Sequence, residues 1–182
     1  MHLTIDREHY AALEARFFLL YADPSHSIDQ WKDEVDRDGL LEACSAGRSY
    51  YLDAETLAEG AADIALKDLE RVLAMNGVAI GKPTVEYDPL KDETILRVDG
   101  KCWPLCAHPS SSSSQDSWAD FSRGFFSMVN GLLASVGSQE RLYAFRPYAN
   151  DQMSIFLTPP LFEALADIGL AARLERIDVP SF

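Results

Sequence analysis

"PTVEYDPLKDETILRVDGKCWPLCAH", residues 83–108, decides what kind of fold this chain can form. The periodic stretches before it repeat at helical spacing, and here the repeat drops to two. Val85 and Tyr87 alternate with polar neighbours, as do Ile95 (or Leu96) and Val98, on either side of the turn-rich "DPLKDE". That pattern argues a hairpin. Asp99-Gly100 supplies a second tight turn, so a third antiparallel strand is expected through "KCWPLCA". Pro104 has no N–H to give a ladder, which places that strand at an edge or makes it irregular.

Upstream, "DAETLAEGAADIALKDLERVLAMNGV" predicts one helix from Ala54 to Asn76, about 35 Å long at the standard rise. Asp53 caps it, and Leu57, Ala61, Ile64, Ala65, Leu69, Val72 and Leu73 form its buried face. Asn76-Gly77 closes it. "SYYL" just before it reads as a short extended piece. Nearer the N-terminus, Tyr10, Leu13, Phe17, Leu20 and Tyr21 repeat at helical spacing, and Ile28, Trp31 and Val35 form a second stripe.

Downstream, the low-complexity "PSSSSSQDS" predicts a mobile serine-rich loop at 109–116. Ser117 with Asp120 resembles a capping box and starts a helix whose apolar face carries Trp118, Phe121, Phe125, Val129, Leu132 and Leu133. Leu142/Ala144 and Met153/Ile155/Leu157 alternate around "PYAND", a second hairpin. Pro159 and Pro160 start a last helix, and the tail "ERIDVPSF" is a short strand or frayed. No repeat and no linker divides the chain. The expectation is a single α+β domain over 1–182, with a helical N-terminal half at about 5–77. Its mostly antiparallel sheet has four to five strands, including two hairpins, with helices packed mainly on one face.

Composition narrows the function classes. An apolar fraction of 47%, with 9 Phe, 7 Tyr and 3 Trp, is ample for a core. The longest apolar runs, such as "FFLLYA" at 17–22, fall far short of the roughly 20 residues that span a membrane. "MHLTIDREHY" has no apolar stretch behind a basic start, so no secretory signal is expected. Three cysteines, an odd number, give no disulfide framework, and a reducing cytoplasm is the expected compartment. The net charge of -13, from 29 acidic and 16 basic residues, opposes every phosphate contact. Neither nucleic acid nor an anionic membrane is therefore an expected partner. A basic protein is the electrostatic complement.

Catalytic signatures are missing: there is no phosphate-binding glycine loop, no nucleophile elbow and no "HExxH". Cys102, Cys106 and His108 are zinc-ligand types, with Cys44 a conceivable fourth. In an extended strand the first three share a face but span about 20 Å, too far to chelate one ion. Two buried core cysteines are expected instead, and neither metal nor cofactor is. Acid pairs such as Glu86/Asp88 read as solvated. "RPYAND", at 146–151, mixes charge and aromatic character on a loop and reads mainly as turn.

Two classes of function remain. The first is an acidic, cytoplasmic protein-binding module. In size, acidity and missing catalytic motifs it is similar in profile to bacterial immunity proteins, which block a toxin made by the same cell. On this reading Trp31, Asp33, Glu34, Asp36 and Asp38, with Glu59 and Asp63 on the long helix, form an acidic surface for a basic partner. The alternative is an enzyme whose site is assembled from scattered carboxylates and His108.

Overall fold

A computed structural model describes residues 49–107, 114–145, 151–167 and 174–176. The expected N-terminal helices lie outside these residues, as do Trp31, Asp33, Glu34, Asp36, Asp38, Cys44 and His108.

The first strand, β1 (Ser49–Asp53), leads straight into α1 (Ala54–Ala58). Asp53 makes the junction: its Oδ1 accepts from the N–H groups of Glu55 and Thr56 at 2.9 and 3.2 Å. Two donors left over by the first turn are thereby satisfied. The single 54–76 helix is not what forms. α1 stops after about a turn and a half at Gly60, whose φ is 98°. Gly60 N–H bonds Leu57 O and Ala61 N–H bonds Thr56 O, which is a helix-terminating Schellman arrangement. Helix α2 (Ala62–Asp68) starts afresh, and α3 (Glu70–Met75) follows after a local irregularity at Leu69. The restart rotates the buried stripe. Ala62, Ala65, Leu66, Leu69, Val72 and Leu73 now face the core, whereas Ile64, expected inside, is 62% exposed.

The three strands legible at 83–108 are β2 (Thr84–Asp88), β3 (Glu93–Val98) and β4 (Lys101–Ala107), paired antiparallel in that order. Asp99 and Gly100 both take positive φ, 48° and 76°, as a two-residue turn matched to strand twist requires. β4 is irregular, and the reason is a bulge. Pro104 pairs with Ile95 and Cys106 with Thr94, so Leu105 is an extra residue.

Helix α4 (Ser114–Ser135) begins three residues before the expected Ser117 start. The last part of the predicted serine loop is therefore helical, and 108–113 lie outside the described residues. The second hairpin is β5 (Arg141–Phe145) and β6 (Asp151–Leu157). It is followed by α5 (Pro159–Asp167) and the short strand β7 (Leu174–Arg176).

An α+β fold is what the described residues show, but the strands divide into two sheets rather than one. One is β2-β3-β4, and the other is β1-β6-β5-β7, antiparallel throughout. The division follows from hydrogen bonding. β1 takes the open edge of β6 and β7 that of β5, so the second hairpin has no edge left for β4. Helix α4 joins the two sheets, packing on β4, β5 and α1. Two glycines seven residues apart let it come close. A Cβ on Gly124 would lie 1.8 Å from Leu105 O, and one on Gly131 2.5 Å from the Trp103 ring. Around this crossing Phe121, Phe125, Phe126, Val129, Leu133, Leu96, Val98 and Phe156 fill the core.

Hydrogen bonds to backbone and between side chains fix several of the polar groups inside. Asn130 is fully buried, and its side chain grips Leu142 twice: Nδ2 donates to Leu142 O at 3.0 Å, and Oδ1 accepts Leu142 N–H at 2.6 Å. Helices α3 and α4 end in the same way, at Gly77 and Gly137, and their ends are clamped together. Asn76 Nδ2 donates to Val72 O and Glu140 Oε2, while Ser138 Oγ donates to Asn76 Oδ1.

Candidate functional site

Because α1 follows β1 with no loop and Gly60 turns the chain back, α2 lies beside the strand it came from. A hydrogen bond holds it there. Leu69 N–H bonds Leu66 O at 3.2 Å rather than the carbonyl four residues back, and the Tyr50 hydroxyl donates to that carbonyl, Ala65 O, at 3.0 Å. Burial, reinforced by the nearby Asp68 charge, holds the Tyr50 phenol well above its ordinary pKa of 10.0. It stays protonated and keeps donating across the physiological range.

Between β1 and the α1–α2 turn runs an open cleft of about 160 Å³. Leu52, Leu57 and Ala65 supply its buried lining, and Tyr51 and Ile64 stand open to solvent, 61% and 62% exposed. Asp53 and Asp68 are its two carboxylates. Asp53 is committed to capping α1, whereas the Asp68 side chain has no ion-pair or hydrogen-bond partner among the described residues. From Asp53 to Glu70 the sequence carries six acidic residues and one lysine. That lysine, Lys67, pairs with Glu70 at 3.5 Å rather than with Asp63.

Of the acidic residues singled out in the sequence, Glu59 and Asp63 are described here. They do not lie on one continuous helix, because the break falls between them. Glu59 is the exposed C-cap of α1, and Asp63 occupies the first turn of α2, where its charge meets the helix dipole favourably. Both flank the turn that forms one wall of the cleft. Of the apolar half of this surface, Ile64 was expected on the buried face of the helix and Tyr51 in a short extended piece, neither of them in a binding role. The signal that could have found it is Gly60, a helix stop of the same kind as Gly77.

The thiol window resolves differently from its strand pattern. The Leu105 bulge reverses the alternation, so Cys102 is on the outer face of its sheet and Cys106 on the inner. Cys102 is therefore not the buried core residue expected. Its Sγ accepts from Arg97 Nη1 at 2.9 Å, and Arg97 Nε donates to Glu86 Oε2 at 2.7 Å. Cys106 is buried, and burial first, then the charges of Asp120 and Asp92, pushes its thiol up to about 11. Among the described residues no three His, Cys, Asp or Glu side chains gather as metal ligands would. No described helix is long and apolar enough to cross a membrane. Comparison with protein-family profiles, with curated proteins and with solved structures finds no match in any of the three.

Proposed function

We propose that this protein is an acidic, cytoplasmic protein-binding module that docks a basic protein partner through its β1–α1–α2 face, in the manner of an immunity-type inhibitor. The observation that carries the reading is an apolar opening set among acids. Tyr51 and Ile64, each more than half exposed, border a cleft in a segment with six acidic residues and one lysine. Large apolar side chains exposed beside a concavity mark binding surfaces more often than isolated ones do. Acids around them steer a basic partner in and disfavour an acidic one. That neither Cys102 nor Cys106 is in a disulfide suits a reducing compartment.

The test begins with a partner isolated by pull-down and proceeds to kinetics. Its association rate is measured from about 50 to about 500 mM salt, where exposed charges pass from weakly to strongly screened. The steering term predicts a steep fall with salt, and a drop of about ten-fold at low salt for the Glu59→Lys/Asp63→Lys double variant. A rate indifferent to both salt and charge reversal sinks the proposal.

A further inference from the structure

The sequence holds two Asn-Gly pairs, Asn76-Gly77 and Asn130-Gly131. Such a pair is chemically labile, because glycine has no side chain to hinder its own nitrogen from attacking the asparagine amide. The fold treats the two pairs differently. Asn130 sits inside α4 and is fully buried, so its amide reacts only when the core unfolds. Asn76 is half-buried at the end of α3, and Gly77 behind it is exposed. We infer that Asn76 is a one-way deamidation switch: its amide ties α3 to the turn between α4 and β5, and spontaneous conversion to an acid releases that tie for good.

Water is the only co-reactant. A solvent base takes the Gly77 N–H proton, the nitrogen attacks Cγ of Asn76, and the Cγ–Nδ2 bond breaks as ammonia leaves. Water then opens the cyclic imide at one of its two carbonyls, giving aspartate or, with an extra backbone methylene, isoaspartate. In the closed fold each participant is held back. A ψ of 4° at Asn76 turns the Gly77 nitrogen away from the side chain, and its N–H bonds Ala74 O at 3.0 Å. The leaving Nδ2 donates to Val72 O at 3.0 Å and Glu140 Oε2 at 2.7 Å, while Oδ1 accepts from Ser138 Oγ at 2.7 Å. Reaction therefore waits for this end to open, a local event at a half-buried turn.

The product cannot close the clamp again. A carboxylate at position 76 has no hydrogen to give, so it meets Val72 O and Glu140 as acceptor against acceptor. Glu140 is only 8% exposed, so the like charges face each other largely out of water. The neighbouring cation, Arg141, is already committed: its Nη1 donates to the carbonyls of Ser138 and Glu140 at 2.7 and 2.6 Å.

The folded full chain is incubated for weeks in mildly alkaline buffer, and both Asn-Gly pairs are followed by peptide mapping with isoaspartyl methylation. Asn76 converts, and Asn130 lags by about ten-fold or more. Ser138→Ala, which removes the hydroxyl from Oδ1, speeds Asn76 by about five-fold and leaves Asn130 unchanged. Equal conversion of the two pairs, no conversion of Asn76 even in Ser138→Ala, or equal acceleration of both pairs by that variant overturns the switch. Irreversibility is tested by thermal unfolding. Asn76→Asp lowers the melting temperature of the original protein, and its penalty largely disappears in the Glu140→Gln protein, where a donor can face the new carboxylate. A penalty as large in Glu140→Gln as in the original overturns the one-way release.

Discussion

Replacing Gly124 by alanine tests the helix crossing that joins the two sheets. In an ordinary helix interior this change is stabilising, by about 1 kcal/mol. Here the new Cβ would meet Leu105 O at 1.8 Å, its carbonyl carbon at 2.6 Å and its Cα at 2.7 Å. A comfortable carbon contact needs about 3.5 Å, so helix and strand must separate by well over 1 Å. Neither can give way cheaply. All three obstructing atoms are backbone, and they belong to the bulge that sets the facing of β4. Two turns further along the same face, a Cβ on Gly131 would lie 2.5 Å from the Trp103 ring, so the helix is close-packed there as well. Overpacking costs of about 1–3 kcal/mol therefore apply at their upper end, and the helix-propensity gain offsets only part. The expected net loss is about 2 kcal/mol, or about 4–8 °C in melting temperature for a chain of this size. Urea and thermal unfolding, followed by far-UV circular dichroism, read it directly. A Gly124→Ala protein as stable as the original, or more so, would refute the close crossing and with it the assignment of α4 as the element between the sheets.

Two further predictions concern buried groups. Asn130→Leu keeps the volume but strips Leu142 of both side-chain hydrogen bonds, leaving a buried N–H and C=O unmet. At about 1–3 kcal/mol for each unmet group, the urea midpoint should fall far more than for the exposed Glu163→Gln, and equal midpoints would dismiss the clamp. Cys106 titrates above its ordinary value of 9.0, at about 11, so the folded state holds its proton longer than the unfolded one. That contribution is complete below pH 9.0 and is lost as pH rises towards about 11. Cys106→Ala should flatten the alkaline decline in stability, and iodoacetamide at pH 8 should label exposed Cys102 well before Cys106. Equal labelling of the two thiols in the folded protein would contradict the bulge.

What could be read from the chain was local. Period-two patterns and the Asp99-Gly100 turn are properties of neighbouring residues, and all three strands of the first sheet and both of the later hairpin follow from them. How the strands share edges is not local. β1 pairs with β6 about a hundred residues away, with Tyr50 opposite Ser154, and no pattern within either segment encodes the partner. Because that pairing was invisible, one sheet was expected where two form. The cysteines show the same limit at finer scale. A single extra residue at Leu105 moves Cys106 to the other face, and only the pairing with Thr94 reveals it.

The candidate site follows from one residue whose signal was present but outvoted. Between Ala54 and Asn76 the apolar spacing suits a continuous helix so well that Gly60 reads as a tolerated interruption. Yet Glu59-Gly60-Ala61 has the same form as Asn76-Gly77-Val78, and both glycines end a helix through the same pair of backbone bonds. Had the helix run through, Ile64 would share the buried face with Leu57, and Glu59 and Asp63 would lie on one solvated stripe. Stopping at Gly60 turns Ile64 outward, and α2 is then held against β1 by Tyr50. The acids and the apolar opening thus come together on one surface. An acidic stripe alone is what many acidic helices show. An acidic surface with a cleft, an exposed tyrosine and an exposed isoleucine has something for a partner to grip as well as a field to attract it.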